Sequence, residues 1–163
     1  MIALACDHGG FAYMRELKLH LDGRDVAYED FGTHSGDSCD YPEFAERAAR
    51  AVASGVCSAG ILICGTGIGM SIAANKLSGI RAALCSDCFS AEMTRRHNDA
   101  NILALGARVI GVGLMLKIVD VFLDTGFDGG RHLKRVEMIR ELERITNCQD
   151  TCRTPTGTAA RPE

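Results

Sequence analysis

The sequence predicts an α/β protein built on a mainly parallel sheet. Five short apolar runs alternate with segments of helical periodicity, which is the pattern of repeated strand–helix units. The first, third and fifth runs are almost continuously apolar, as expected for strands that helices cover on both faces. A length of 163 residues, with 47% hydrophobic and 24% charged side chains, fits one globular domain.

The apolar runs give the predicted strands, which are residues 2–6, 26–30, 59–63, 81–84 and 102–105. The third run leads into residues 64–69, where glycines alternate at Gly65, Gly67 and Gly69.

Apolar residues spaced near 3.6 predict the helices between the strands. Met14, Leu17 and Leu21 share the face of the first helix. Pro42 and Glu43 suit the first turn of the second helix. The third and fourth helices are predicted over 71–77 and 87–97, the fourth opened by a Ser86 or Asp87 cap. The fifth carries Leu114, Ile118, Val121 and Phe122 on one face.

A last helix is predicted over about 132–145, with Val136, Ile139, Leu142 and Ile145 along it. Because no strand follows, we expect this helix to pack on a partner subunit. Residues 1–146 then form one domain. Residues 147–163 turn polar, contain Thr, Pro and Gly, and are predicted to be a flexible C-terminal tail.

Charge and hydropathy exclude several classes of partner. A formal net charge of −3 argues against broad binding of nucleic acid or anionic membranes, which requires a basic face. No apolar run approaches the roughly 18–20 residues that span a bilayer. The N-terminus lacks the basic start and longer apolar region of a signal peptide. We therefore expect a cytoplasmic protein without nucleic-acid or membrane partners.

Eight cysteines leave two alternatives beside ordinary packing. Cys85 and Cys88 could combine with Cys148 and Cys152 in a zinc site. The Cys85-x-x-Cys88 spacing, between a strand and a helix, is also typical of thioredoxin-like redox motifs. The favoured interpretation is that cysteines in or at the end of apolar runs act as small hydrophobes; these are Cys6, Cys64 and Cys85.

Residues 64–69 form the strongest candidate site. A strand that runs through a glycine turn into a helix surrounds one point with free backbone N–H groups, which attract anions and favour a thiolate at Cys64. The loop is not a P-loop, because no Gly-Lys-Ser/Thr follows. The spacing Gly65-x-Gly67-x-Gly69 differs from a dinucleotide fingerprint. Nicotinamide binding, with Asp87 as the ribose-binding acid, stays open as an alternative.

Two further segments carry polar side chains at the ends of elements. Asp7 and His8 follow the first strand, where they could contact sugar hydroxyls and move protons, or form a helix cap and a surface histidine. His97 and Asn98 follow two arginines at a predicted helix C-terminus, where cations also complement the helix dipole.

Three arginines could bind a phosphate. Arg131 and Arg135 lie one helical turn apart, so their guanidinium groups project from the same face, as a phosphate clamp or as a solvated basic edge. Arg108, after the fifth strand, could be a third contact.

Six segments in matching order carry a resemblance that runs from about residue 2 to residue 142. They are Cys6-Asp7-His8-Gly9-Gly10, Asp40-Tyr41-Pro42, residues 60–76, Arg96-His97-Asn98-Asp99-Ala100-Asn101, Gly106-Ala107-Arg108 and Gly129-Gly130-Arg131-His132. Together they resemble the type B ribose-5-phosphate isomerase family, which also includes galactose-6-phosphate isomerase subunits.

The resemblance implies a Rossmann-like three-layer αβα sandwich that works as a homodimer with shared active sites, often assembled further into tetramers. It implies aldose–ketose isomerisation of a sugar phosphate without a metal or another cofactor. The expected reaction interconverts ribose 5-phosphate and ribulose 5-phosphate. The alternatives are a hexose 6-phosphate of the allose or galactose type, or a phosphosugar-binding module without activity.

The resemblance also implies roles for individual residues. Cys64 looks like the base that moves a proton between C1 and C2, and His97, from the partner chain, like the acid/base that opens the furanose ring. Thr66 and Asp7 complete the catalytic set. Met70 stands where the carboxylate-base branch has a glutamate, so the chain is similar to the cysteine branch.

The remaining positions would bind substrate. Asp7 and His8 would contact the sugar. The developing enediolate oxygen would be held by Gly65, Thr66, Gly67, Ile68 and Gly69. The other sugar and phosphate contacts would come from Asn98, Arg108, Arg131 and Arg135.

Overall fold

The computed structural model describes the backbone of residues 1–151 and the side chains of residues 1–145. Strands and helices alternate through the first ten elements, and a second helix follows α5. The elements in order are β1 (Ile2–Cys6), α1 (Phe11–Asp22), β2 (Tyr28–Asp30), α2 (Tyr41–Ala53), β3 (Ala59–Cys64), α3 (Ile68–Ala74), β4 (Ala82–Leu84), α4 (Cys88–Asn98), β5 (Ile102–Gly106), α5 (Val112–Asp124) and α6 (Arg131–Thr151).

The strands form one five-stranded sheet in the order β2-β1-β3-β5-β4. Each of the four neighbouring pairs is parallel. The predicted Rossmann-like α/β fold is therefore confirmed, and the described sheet is wholly parallel. The strand order changes direction between β1 and β3, and open α/β sheets bind ligands at the carboxyl ends of such strands.

Two apolar clusters cover the two faces of the sheet. On one face, Leu4, Ile61 and Leu103 pack with residues of α1, α4 and α5. On the other face, the small side chains Ala3 and Ala5 belong to a cluster with residues of α2 and α3. This alternation of side chains along β1 and β3 gives the three layers.

The structure moves the start of the third helix relative to the prediction. Helix α3 begins at Ile68, three residues before the predicted start at residue 71. The N-cap is Gly67, whose φ of 77° lies in the left-handed region that glycine adopts without strain. Ile68 and Gly69, predicted as loop, therefore lie in the first turn of α3.

The last helix is longer than predicted. Helix α6 ends at Thr151 rather than near residue 145, so the first residues of the predicted tail continue it. Between Arg131 and Thr151 there is neither glycine nor proline to stop a helix. The rest of the predicted tail, residues 152–163, lies outside the described residues.

Of the apolar residues predicted along the last helix, only the first is in the core. Val136 is buried, whereas Ile139, Leu142 and Ile145 are exposed. The packing of this face on a partner subunit stays a prediction. Among the described residues, no helix combines the length and the apolar character that crossing a bilayer requires.

Candidate active site

The carboxyl ends of β1, β3 and β5 bring one group of predicted site residues to the same edge of the sheet. Asp7 and His8 follow β1, residues 65–69 follow β3, and Arg108 follows β5. The N–H of Ala107 donates to the carbonyl of Cys64 and that of Arg108 to the carbonyl of Gly65, both at 2.9 Å. These bonds continue the β3–β5 pairing into the loops, so the segments after β3 and β5 lie side by side, next to the switch point between β1 and β3.

Cys64 is the last residue of the central strand β3 and is 4% exposed. Its Sγ accepts a hydrogen bond from the backbone N–H of Gly67, with 3.1 Å between N and S. A bond donated to sulfur stabilises the thiolate relative to the thiol. The strand end and the glycine turn therefore fix the position of this sulfur atom.

The turn after Cys64 presents open amides. The N–H of Ile68 bonds Thr66 Oγ1 at 3.3 Å and that of Gly67 bonds the thiol. Within residues 1–151, by contrast, the N–H groups of Gly65 and Thr66 have no protein acceptor. Thr66 itself is exposed. Such fixed donors can stabilise an oxyanion that forms beside Cys64.

Asp7 and His8 lie beside this turn. A Cβ on Gly9 would lie 3.1 Å from the Gly65 nitrogen and 3.2 Å from Asp7 Oδ1, so only a side-chain-free residue separates the carboxylate from the loop. Asp7 Oδ1 accepts the N–H of Gly10 at 3.0 Å. Asp7 therefore forms the kind of local hydrogen bond that its alternative, purely structural role requires, and it also lies beside the candidate site.

His8 is oriented by a residue to which the sequence analysis assigned no role. The backbone N–H of Cys39 donates to His8 Nδ1 at 3.2 Å. Because an amide N–H can only donate, Nδ1 carries no proton and a neutral His8 carries it on Nε2. Nε2 is therefore available as a donor to an anionic ligand.

Two side chains, Arg108 and Tyr41, lie against residues 65–69. The guanidinium of Arg108 lies against Gly65, with Nε 3.5 Å from the position of a glycine Cβ. Tyr41 lies against Gly69, where a Cβ would come within 2.6 Å of its ring. Tyr41 was missed as a site residue, and its membership of the Asp40-Tyr41-Pro42 segment was the available signal.

A second group of predicted site residues gathers elsewhere. His97 and Asn98 end α4, and Arg131 and Arg135 lie in the first turns of α6. Helix α4 starts at the carboxyl edge of the sheet, after β4, and runs back to the amino edge. Arg81, which precedes β4, donates Nε–H to the carbonyl of Asn98 at 3.0 Å. His97 and Asn98 therefore lie at the edge opposite Cys64.

The candidate residues thus form two half-sites on one chain. The first half-site comprises Asp7, His8, residues 64–69 and Arg108, and the second comprises His97, Asn98, Arg131 and Arg135. No hydrogen bond or ion pair joins the two half-sites within the part of the chain that the structure describes. The 11-residue helix α4, about 16 Å long, separates the two edges.

The neighbouring arginines Arg95 and Arg96 serve structure rather than the site. Arg96 Nε lies 3.1 Å from both carboxylate oxygens of Asp128. The Arg95 guanidinium bonds the carbonyl of Ala100 and, from Nε, that of Thr125. These bonds tie the end of α4 to the segment before α6 and set the spacing of the second half-site.

One group of three potential metal ligands occurs among the described residues. Ligand atoms of His97, Asp128 and His132 lie within 4.8 Å of one another. However, the two imidazole rings are stacked, with centroids 4.2 Å apart and planes 2° apart. Imidazole binds zinc in the ring plane at about 2.0–2.1 Å, so parallel stacked rings do not converge on one ion. The group does not fit a metal site.

Contacts give Asp87 a structural role and bear on the redox alternative for Cys85. Asp87 is the N-cap of α4, and its carboxylate accepts the N–H of Ser90 at 2.7 Å, which lowers its pKa. Burial raises the pKa of Cys85 to about 11, and Asp87 adds to the shift. Redox cysteines have lowered pKa values, so this thiol does not suit the thioredoxin-like interpretation. The side chains of Cys148 and Cys152, needed for the zinc alternative, lie outside the described residues.

Comparison with known proteins agrees with this arrangement. The profile of the ribose/galactose isomerase family matches residues 2–139. Ribose-5-phosphate isomerase B of Escherichia coli K12 is 51% identical over 146 residues, which cover 90% of this chain and 98% of that protein. The putative sugar phosphate isomerase YwlF of Bacillus subtilis is 52% identical over 143 residues, covering 87% of this chain and 96% of the relative.

Solved structures give the same result. Ribose-5-phosphate isomerase B of Clostridium thermocellum has a TM-score of 0.88 and 53% identity, covering 89% of this chain and 98% of that one. The Mycoplasma genitalium enzyme of the same name, solved with bound ribulose-5-phosphate, has a TM-score of 0.84 and 39% identity, covering 88% and 95% of the two chains. On these matches, the chain belongs to the ribose/galactose isomerase family.

Proposed function

We propose that this protein interconverts D-ribose 5-phosphate and D-ribulose 5-phosphate, the reaction after which its relatives are named. The observation that carries the proposal is the thiol of Cys64 at the end of the central strand, with the Gly67 N–H on its sulfur and open amides beside it. We expect the protein to act in the cytoplasm, because a charged sugar phosphate does not cross a bilayer.

The proton transfer is assigned to the first half-site. A C–H next to a carbonyl is weakly acidic, and its removal puts negative charge on oxygen. The Cys64 thiolate takes the proton from C2 and returns it to C1, while the hydroxyl proton moves from O2 to O1 so that the carbonyl forms at C2. The N–H groups of Gly65 and Thr66 stabilise the enediolate oxygen, where charge develops only as the reaction proceeds. Asp7 and His8 hold the sugar hydroxyls.

Ring opening is assigned to the second half-site of a partner subunit. Opening a furanose requires removal of the proton from O1 and protonation of the ring oxygen, which an imidazole at His97 can perform. Asn98 contacts the sugar there. The phosphate is bound by Arg131 and Arg135 of the same half-site, with Arg108 approaching from the first.

The placement of the half-sites supports a homodimer with shared active sites. Because Cys64 and His97 lie at opposite edges of one sheet, one chain does not bring them to one substrate. A two-fold dimer supplies each active site with one half from each protomer. The exposed apolar side chains of α6, including Met138 and Ile139, are suited to that interface.

The substrate assay compares turnover of ribose 5-phosphate with that of allose 6-phosphate and galactose 6-phosphate. We expect the five-carbon phosphate to have the highest kcat/KM. A clear preference for either hexose phosphate would refute the proposed substrate, and binding of all three without turnover would favour a phosphosugar-binding module.

Subunit mixing tests the shared site. Cys64→Ser and His97→Asn homodimers are each expected to be inactive. After denaturation and refolding together, heterodimers carry one intact site and one doubly substituted site, so about a quarter of wild-type activity should return. If activity does not return although heterodimers form, the sites are not shared.

A further inference from the structure

The first turn of α6 carries a buried histidine that has no role in the proposed reaction so far. His132 is 7% exposed, and its ring stacks on that of His97 with centroids 4.2 Å apart. Arg131 Nε–H also donates to His132 Nε2 at 3.3 Å. One imidazole thus contacts both the proposed ring-opening group and a proposed phosphate ligand.

We propose that His132 is a positioning residue, a neutral imidazole that holds the ring of His97 by stacking and orients the guanidinium of Arg131. The inference rests on the proposed function, because His97 and Arg131 meet substrate only in that reaction.

The hydrogen bond fixes the protonation of His132. A guanidinium N–H is always a donor, so Nε2 of His132 accepts and carries no proton, and the ring proton lies on Nδ1. The surroundings act in the same direction. Burial lowers the pKa of His132, and His97, Arg131 and Arg135 lower it further, whereas Asp128 opposes them.

The backbone delivers this ring to its place. Gly129 and Gly130 have φ values of 65° and 53°, in the left-handed region. A Cβ on either glycine would meet no atom within 4 Å, so it is conformation rather than space that calls for glycine. The N–H of His132 donates to the carbonyl of Gly129 at 3.0 Å, which closes the turn.

The end of α4, which carries His97, is bonded to the segment before α6. The N–H of Asp128 donates to the carbonyl of Arg96 at 3.0 Å, next to the Arg96–Asp128 ion pair. These backbone and side-chain bonds hold the residue before His97 next to the segment that leads into α6.

Neutrality matters because His97 must gain and lose a proton. A charged His132 would repel a protonated His97 across the stack, in a cluster that already contains Arg131 and Arg135. A neutral aromatic face instead attracts a cation placed over it. Both protonation states of His97 are thus compatible with the same geometry.

Two substitutions separate the two contacts of His132. His132→Gln retains an acceptor for Arg131 and loses the stacked ring, so kcat for ribose 5-phosphate should fall by about tenfold or more with little change in KM. His132→Phe retains the stack and loses the acceptor, so KM should rise by about tenfold while kcat stays within about threefold.

Ribulose 5-phosphate provides the internal control. Its O5 carries the phosphate, so it cannot close a furanose, and deuterium exchange at its C1 reports on Cys64 without ring opening. Both variants should exchange at the wild-type rate with saturating ketose. A wild-type kcat in His132→Gln would overturn the inference, as would an equal fall of conversion and exchange in both variants, which indicates a merely structural role.

An imidazole ¹⁵N spectrum tests the neutral ring without turnover, with His132→Gln identifying the signals. Nε2 should stay unprotonated from about pH 6 to pH 8. A protonated Nε2 in that range would overturn the inference while leaving the proposed function intact. Wild-type protein that converts no ribose 5-phosphate would instead refute the proposed function.

Discussion

Replacing Cys64 by serine or alanine tests the central chemical assignment. Serine keeps an acceptor for the Gly67 N–H but is too weak an acid to supply an anionic base at neutral pH. Alanine removes the acceptor as well, so the Gly67 N–H loses the partner now 3.1 Å away. Both variants should lack the proton transfer, but only alanine should lose the hydrogen bond.

The expected magnitudes differ for rate and stability. Losing a general base typically lowers the rate by about 10²–10⁴-fold, or about 3–5 kcal/mol of barrier. Leaving a buried donor without its acceptor costs about 1–3 kcal/mol of folding free energy. Serine should therefore lose activity with little loss of stability, whereas alanine should lose both.

Deuterium exchange at C1 of ribulose 5-phosphate, followed by NMR, measures the rate, and urea unfolding measures the stability. Cys6→Ala is the matched control, since Cys6 also ends a strand but is fully buried in the opposite layer. It should cost about 1–2 kcal/mol of stability and leave exchange unchanged. A Cys64→Ser variant with more than about a tenth of wild-type exchange would refute the assignment of Cys64 as the base.

Three further outcomes are expected. Gly67→Ala should lower the free energy of unfolding in urea far more than Gly55→Ala. Both glycines have a left-handed φ, but of the two only Gly67 would bring a Cβ within 2.5 Å of Leu84. Equal losses of unfolding free energy would contradict this close contact. Asp87→Ala should lower the thermal unfolding midpoint at neutral pH, because it removes the N-cap of α4. Hydrogen bonds from Ser90 lower the pKa of Asp87, so the difference in midpoint from wild type should disappear as the pH falls below this lowered pKa. A difference in midpoint that persists in acid would refute the role of the Asp87 carboxylate as the N-cap. Dialysis against a chelator should leave turnover unchanged, because the stacked rings of His97 and His132 do not converge on an ion; activity restored by added zinc would contradict this.

Strands β1, β3 and β5 were predictable because their apolar runs are nearly continuous, but the cysteines at the ends of β1 and β3 were not distinguishable from sequence. Cys6 and Cys64 both end buried strands. Burial and the nearby Asp30 carboxylate raise the pKa of Cys6 to about 12, so this thiol is inert at neutral pH. What distinguishes Cys64 is the N–H of Gly67 on its sulfur, and that contact depends on a turn conformation that glycine spacing alone does not specify.

The predicted helix boundaries are wrong where the local sequence signals are weak. From sequence, Gly67 and Gly69 favour a loop that continues to a helix start at Ser71. A left-handed Gly67 instead turns the chain sharply enough for Ile68 to begin the helix. The prediction of enediolate contacts from residues 65–69 therefore covers two kinds of donor, since the amides of Gly65 and Thr66 lie in the turn and those of Ile68 and Gly69 lie in a helix.

The sequence identifies the candidate site residues but does not predict which of them lie together on one chain. The direction of helix α4 explains why. In a parallel sheet each crossover helix returns the chain to the amino edge. A residue at the end of such a helix therefore lies far from the carboxyl ends of the strands. His97 and Cys64 are therefore separated by the same topology that makes the sheet parallel. The proposed chemistry requires both groups at one sugar, and the proposed homodimer meets that requirement by supplying His97 from a second copy of the chain. Refolded mixtures of Cys64→Ser and His97→Asn chains consequently test the mechanism and the assembly in one measurement.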